Sequence, residues 1–214
     1  MLSRVITLVA AAGAIAGCTS TGAMRTVSES AGDVAVVRDG DALRQAMRRL
    51  WTDHVVWTRA YVVAAVANDP SAAAAAARLM KNQEDIGRGI APYYGDAAGQ
   101  KLTALLKDHI NIAVELVAAA KASDNTKLAD ADRRWKANAG DIATFLAGAN
   151  PHWPRETLRV MLEEHLRVTT EEAKARLEKR WDDDVRTFDG ILDQALHMAD
   201  ALTDGILKQF PGRR

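Results

Sequence analysis

Leu50-Trp51-Thr52-Asp53-His54-Val55, Leu105-Leu106-Lys107-Asp108-His109-Ile110 and Met161-Leu162-Glu163-Glu164-His165-Leu166 share one pattern: two apolar residues, a variable residue, an acid, a histidine and an aliphatic residue. The histidines lie 55 and 56 residues apart, a period at which each repeat is a supersecondary unit that buries its apolar face against its neighbours. Three of the five histidines fall in this pattern. A second set lies between the copies: Arg78, Asn82, Asp85 and Ile86 recur as Arg134, Asn138, Asp141 and Ile142, each shifted by 56.

The sequence around these motifs is rich in alanine and poor in β-branched residues, with apolar residues at spacings of three and four, which predicts helices. The first runs from Asp41 to about Ala67, with Leu43, Met47, Leu50, His54, Trp57 and Tyr61 on one stripe. Asp69-Pro70 supplies a cap and a first-turn proline for a second, ending near Gly87 or Gly89, and Pro92-Tyr93-Tyr94-Gly95 reads as a turn. A third spans Asp96 to about Ala122 and a fourth Asp124 to about Ala147. Asn150-Pro151-His152-Trp153-Pro154 breaks the chain, because proline excludes helix at itself and disfavours it before. A fifth helix carries Leu158, Met161, Leu162 and His165, and Thr169-Thr170-Glu171-Glu172 has the form of a capping box opening a long sixth helix to about Gln209. The expected fold is all-α, an antiparallel bundle of about six helices built from repeated helical hairpins.

Helix geometry then connects the two motifs. At about 1.5 Å per residue, His54 lies roughly 21 Å before the turn near Asn68 and Asn82 roughly 21 Å after it, so the two face each other. His109 stands in the same relation to Asn138, and Asn and Asp three residues apart share a helix face. Each hairpin can thus present a histidine, an asparagine and an aspartate at one level. The third unit departs from this scheme: His165 lies close to the expected turn at Thr169, and Asp184 is the nearest analogue of Asp85 and Asp141.

Two uses of this polar set stay open. His54, Asn82, Asp85, His109, Asn138, Asp141 and His165 are candidate ligands for a divalent transition metal or a small polar molecule, since imidazole and carboxylate suit such ions and bundle cores house them. The same residues also serve as interhelical staples, each histidine hydrogen-bonding an amide or acid on the next helix, copied with every hairpin. Neither Glu-x-x-His nor His-Glu-x-x-His is present, no phosphate loop or nucleophile elbow exists, and no general base can be named, so a hydrolytic metalloenzyme is disfavoured and no catalytic residue is assigned. Asp53, Asp108 and Glu164 are sequence neighbours of the histidines and so point elsewhere, as rim charges. His152 and His197 read as surface or hydrogen-bonded residues in preference to ligands, and the five tryptophans as wedges between hairpins. Of Asp182-Asp183-Asp184, only Asp184 is expected to point inward.

The N-terminus carries a different kind of signal. Arg4 precedes an apolar run from Val5 to Ala16, and Ile15-Ala16-Gly17-Cys18 contains the chain's only cysteine. The run is too short to span a bilayer as a helix and has the form of a lipoprotein signal peptide, with residues 1–17 removed and Cys18 acylated with diacylglycerol and a fatty acid such as palmitate. Two or more buried chains make such anchoring stable. Thr19 in place of aspartate favours the periplasmic face of the outer membrane in a cell with two membranes, outside the cytoplasmic membrane in any case. Residues 18–40, rich in Ser, Thr, Gly and Asp, read as a flexible tether, and 41–214 as one domain. Lys plus Arg equals Asp plus Glu at 28 each, which argues against nucleic acid as a partner and leaves no polybasic membrane patch. Membrane attachment is therefore assigned to the lipid, and no protein partner is named.

Leu50-Trp51 with His54 and Trp57-Thr58-Arg59, Pro92-Tyr93-Tyr94-Gly95, Trp135 with Asn138-Ala139, Phe145-Leu146, Asn150-Pro151 with Trp153, and Gly205-Ile206 with Gln209-Phe210-Pro211 together resemble a bacterial family of small all-helical proteins. Its members often carry transferred labels such as acetylglutamate kinase or glycosyltransferase. The likeness spans nearly the whole chain after Asp41. It implies the helical fold and no mechanism, and the sequence has neither the nucleotide loop nor the α/β pattern that those labels require.

Overall fold

The computed structural model describes residues 31–212, so the signal segment, Cys18 and the tether up to residue 30 lie outside the described residues. Six helices follow in order: α1 (Ala31–Ala67), α2 (Ala72–Tyr94), α3 (Asp96–Lys121), α4 (Asn125–Ala149), α5 (Arg155–Leu177) and α6 (Trp181–Gln209). Each packs on its neighbours in the chain, and α6 packs on α1, so three antiparallel hairpins close into a ring, while α1 also touches α3 and α5 inside it.

The three hairpin turns are built alike. Asn68, Ser123 and Lys179 adopt left-handed backbone with φ of 59, 55 and 59°. In each, the next amide reaches back to the last full turn: Asp69 N to Ala64 O (2.9 Å), Asp124 N to Ala119 O (3.0 Å) and Arg180 N to Ala175 O (2.9 Å). This is the Schellman closure, normally made with glycine. None of the three uses glycine here, and the last, closed by a lysine, carries no turn signal in its sequence.

Several predicted boundaries need correction. α1 begins at Ala31, ten residues ahead of Asp41, so the segment 31–40 is helical where a tether was expected. α2 passes through Gly87 and Gly89 and holds Pro92-Tyr93-Tyr94 in its last turn; the chain turns at Gly95, with φ 86°. Gly87 serves a crossing and not an ending: a Cβ there would lie 2.5 Å from the Gly99 carbonyl oxygen, and one on Gly99 2.6 Å from that of Gly87. α5 runs through Thr169-Thr170, which cap nothing. The Thr170 hydroxyl donates to the Leu166 carbonyl one turn back (2.8 Å), a bond that sits comfortably inside a helix. The third hairpin therefore turns at Lys179, and its supposed departure from the repeat disappears.

With the turns in place, the core reads in layers of three. Met47, Leu102 and Leu158 form one level, Trp51, Leu106 and Leu162 the next, and Val62, Val117 and Ala173 lie beyond the histidines, every one buried. The partner helices contribute Leu79, Trp135 and Ile191, then Ile86, Ile142 and Met198. Each large aliphatic removed from water here is worth about 1.5–3 kcal/mol, and the repetition distributes that driving force evenly over the hairpins. Trp153 is buried and fills the space at Gly205, where a Cβ would come within 2.8 Å of the indole Cε2. Trp181 is 50 % exposed and wedges nothing; the Arg176 guanidinium lies over its ring at 4.8 Å.

Candidate functional site

The repeated histidines meet in the middle of the bundle. His54, His109 and His165 are 3–4 % exposed, with ring centroids 5.7 Å apart for His54 and His165 and 6.5 Å apart for His109 and His165. Their positions follow from the apolar stripes of α1, α3 and α5, each of which turns one histidine to the inside at the same level. Trp51 packs edge-on to His54 at 5.6 Å and Trp135 against His109 at 5.1 Å.

Each ring is held from its own hairpin. His109 Nδ1 lies 2.8 Å from Asn138 Oδ1, while Asn138 Nδ2 donates to the Leu105 carbonyl at 3.1 Å. That second bond orients the amide, so its oxygen faces the ring and His109 carries its proton on Nδ1. In the third hairpin Gln194 does the same work: Oε1 is 3.2 Å from His165 Nδ1, and Nε2 donates to the Met161 carbonyl at 2.9 Å. The first hairpin divides the task. Asn82 Nδ2 donates to the Leu50 carbonyl at 3.0 Å, but the neighbour of His54 Nδ1 is Gln83 Nε2 at 3.3 Å. Gln83 Nε2 also lies within reach of the Leu79 carbonyl (2.8 Å) and Asn82 Oδ1 (3.2 Å), so its two hydrogens are shared among three acceptors. An amide nitrogen cannot accept, so His54 presents an unprotonated Nδ1 to it and holds its proton on Nε2, the opposite tautomer from the other two.

Burial holds His54 and His109 down at about 3, reinforced by the like charge that His165 would carry, and burial lowers His165 as well. An imidazolium in this dry layer would lose its hydration and meet two others. His54 and His109 are therefore neutral across the pH range in which proteins normally operate, and burial favours the neutral form of His165 in the same sense.

The acidic part of the predicted set stays out of this layer. Asp85 pairs with Arg88 and lies 3.7 Å from Arg78 on the rim, and Asp141 is exposed. Among the described residues, no group of three or more His, Cys, Asp or Glu side chains is placed to hold a metal ion. The rim reading holds for Asp53, which bonds Arg78 at 3.2 Å, and Glu164, which bonds Arg167 at 2.7 Å. His152 and His197 are exposed.

Sequence reasoning missed Gln83 and Gln194, although Gln194 stands 29 residues after His165, the separation of His109 and Asn138. It also missed a charged cluster between α1, α5 and α6. Arg59 reaches Glu172 and, through both Nη atoms, Asp184 at 2.9 and 3.1 Å; Arg176 reaches Asp184 at 3.1 Å. Both carboxylates are 1 % exposed, whereas the arginines stand partly in solvent. Of these four, only the inward turn of Asp184 was foreseen.

Among the described residues, no helix is long and apolar enough to cross a membrane. Compared with protein-family models, curated proteins and solved structures, the chain matches none.

Proposed function

We propose that this chain is a non-catalytic envelope lipoprotein whose three-hairpin body is a rigid module for protein interaction, with the histidines and their amides as its internal staples. The observation that carries this reading is the hydrogen bonding of each neutral, buried ring within its own hairpin. A histidine that must bind and release a ligand needs a free face and access; one that joins two helices needs a fixed partner and exclusion of water. The lipid anchor rests on Ile15-Ala16-Gly17-Cys18 and the apolar run before it, and the family resemblance is consistent with a helical body of this kind. Metabolic labelling with palmitate tests the anchor: the parent takes up label and Cys18→Ser does not.

The second reading, a site for a divalent transition metal or small polar ligand, is favoured by the convergence of three imidazoles from three hairpins. It requires His54, His109 and His165 to turn their Nε2 atoms to one point, with Asn138 and Gln194 orienting rings from behind. Elemental analysis of protein purified without chelator, beside His54→Ala and His109→Ala, separates the two. The staple reading expects no stoichiometric metal and lowered melting temperatures in both variants; metal at one per chain that both variants lose would establish the ligand site.

A further inference from the structure

We infer that Glu172 is a proton-binding switch at the corner where α5 and α6 meet α1, passing between an ionised form paired with Arg59 and a protonated form, without unfolding the bundle. The argument begins with position. Glu172, Asp184 and Arg176 occupy places that the other two hairpins fill with Leu116 and Tyr61, Leu128 and Ala72, and Ala120 and Ala65. The third hairpin has thus exchanged an apolar corner for a charged one, and the exchange is confined to the turn end of the bundle.

Geometry then distinguishes the two acids. Asp184 is bonded by Arg59 through both of its oxygens and by Arg176 at 3.1 Å, whereas the hydrogen bonds of Glu172 run to Arg59 Nη1 alone, the same nitrogen that Asp184 Oδ1 uses at 2.9 Å. Two buried carboxylates converge on one nitrogen of a guanidinium that itself stands partly in solvent, so one of them is under-compensated, and it is Glu172. The charged groups that act on it are Arg59 from α1, Asp184 from α6 and Arg176 from its own helix. Burial first, opposed by Arg59 and then helped by the Asp184 charge, pushes its carboxyl up to about 7. Protonated, Glu172 can donate a hydrogen bond while Asp184 keeps both arginines.

The direction of the stability effect follows. A carboxyl raised from its ordinary value of 4.5 to about 7 stabilises the fold at low pH. That contribution is complete below 4.5 and is lost as pH rises through about 7. Glu172→Gln copies the protonated form in shape and hydrogen bonding, so its melting temperature exceeds the parent's by about 4 °C at pH 8.5; the difference narrows as pH falls through about 7 and closes only below about pH 4.5. A variant that melts lower than the parent by the same amount at every pH would show a permanently ionised salt bridge and overturn the switch. Carbon-13 NMR of the parent reads the same site directly: a Glu172 carboxyl resonance titrating between pH 6 and 8 supports it, and one that stays ionised down to pH 5 refutes it.

Discussion

The histidine layer and the charged corner of the third hairpin hold polar groups inside the same bundle by opposite means. In the layer, each hairpin buries one neutral imidazole and gives it a neutral amide from its own second helix, so every bond is local and no charge leaves water. In the corner, two arginines and two carboxylates are joined across three helices, with both acids 1 % exposed. The staple occurs three times, once in each hairpin, and the corner once. A neutral staple can be copied because its cost and gain both lie within the hairpin. A buried ion cluster depends on partners from other elements, here Arg59 of α1, and is sensitive to the loss of any one of them.

The largest expected effect comes from breaking the corner on one side only. Arg59→Met leaves Glu172 and Asp184 facing each other with Arg176 alone, and denaturant unfolding at pH 8 should show a loss of about 3 kcal/mol. The loss should shrink on moving to pH 5.5, where Glu172 is protonated. In the layer, Asn138→Ala strips His109 Nδ1–H and the Leu105 carbonyl of their partner together, with an expected cost of about 2 kcal/mol in the same measurement. Asn82→Ala should cost less, because Gln83 still faces His54. Equal losses for the two asparagines would remove the distinction drawn between the first hairpin and the second.

The two regions also pull in opposite directions as the medium is acidified. His54 and His109 are held at about 3 against an ordinary value of 6.5, so they favour unfolding as pH falls below 6.5, with the loss growing toward 3. Glu172 acts in the reverse sense between about 7 and 4.5. Calorimetric melting temperatures should therefore fall below pH 6, and fall more steeply in Glu172→Gln. The smallest effect separates equivalent positions. Thr58 donates its hydroxyl to the His54 carbonyl at 2.8 Å, while the matching Thr169 Oγ1 is buried without a partner. Thr169→Val should raise stability by up to about 1 kcal/mol, and Thr58→Val should not.

Much of this was legible in the sequence because the repeat is written in side chains. The spacing of His54, His109 and His165 gave three units, and the shift of 56 from Asn82 to Asn138 located the amides that bond the Leu50 and Leu105 carbonyls. What stayed hidden was written in backbone. Lys179 closes the third hairpin in a left-handed conformation that lysine rarely signals, while Thr169-Thr170-Glu171-Glu172 imitates a helix start. That error displaced the third hairpin's partner from Gln194 to Asp184. The division of work between Asn82 and Gln83 was invisible for another reason: Gln83 stands where Ala139 and Ala195 fill the other hairpins, all three almost wholly buried, so the repeat itself marks it as an apolar position.

The most direct measurement is nitrogen-15 NMR of the histidine rings at pH 5. Neutral rings are predicted at His54 and His109, with the proton on Nε2 in His54 and on Nδ1 in His109, and His165 is predicted to hold its proton on Nδ1 whenever it is neutral. An imidazolium at His54 or His109 at that pH, or one tautomer shared by the two, would contradict the neutral staple in which each hairpin binds its own ring.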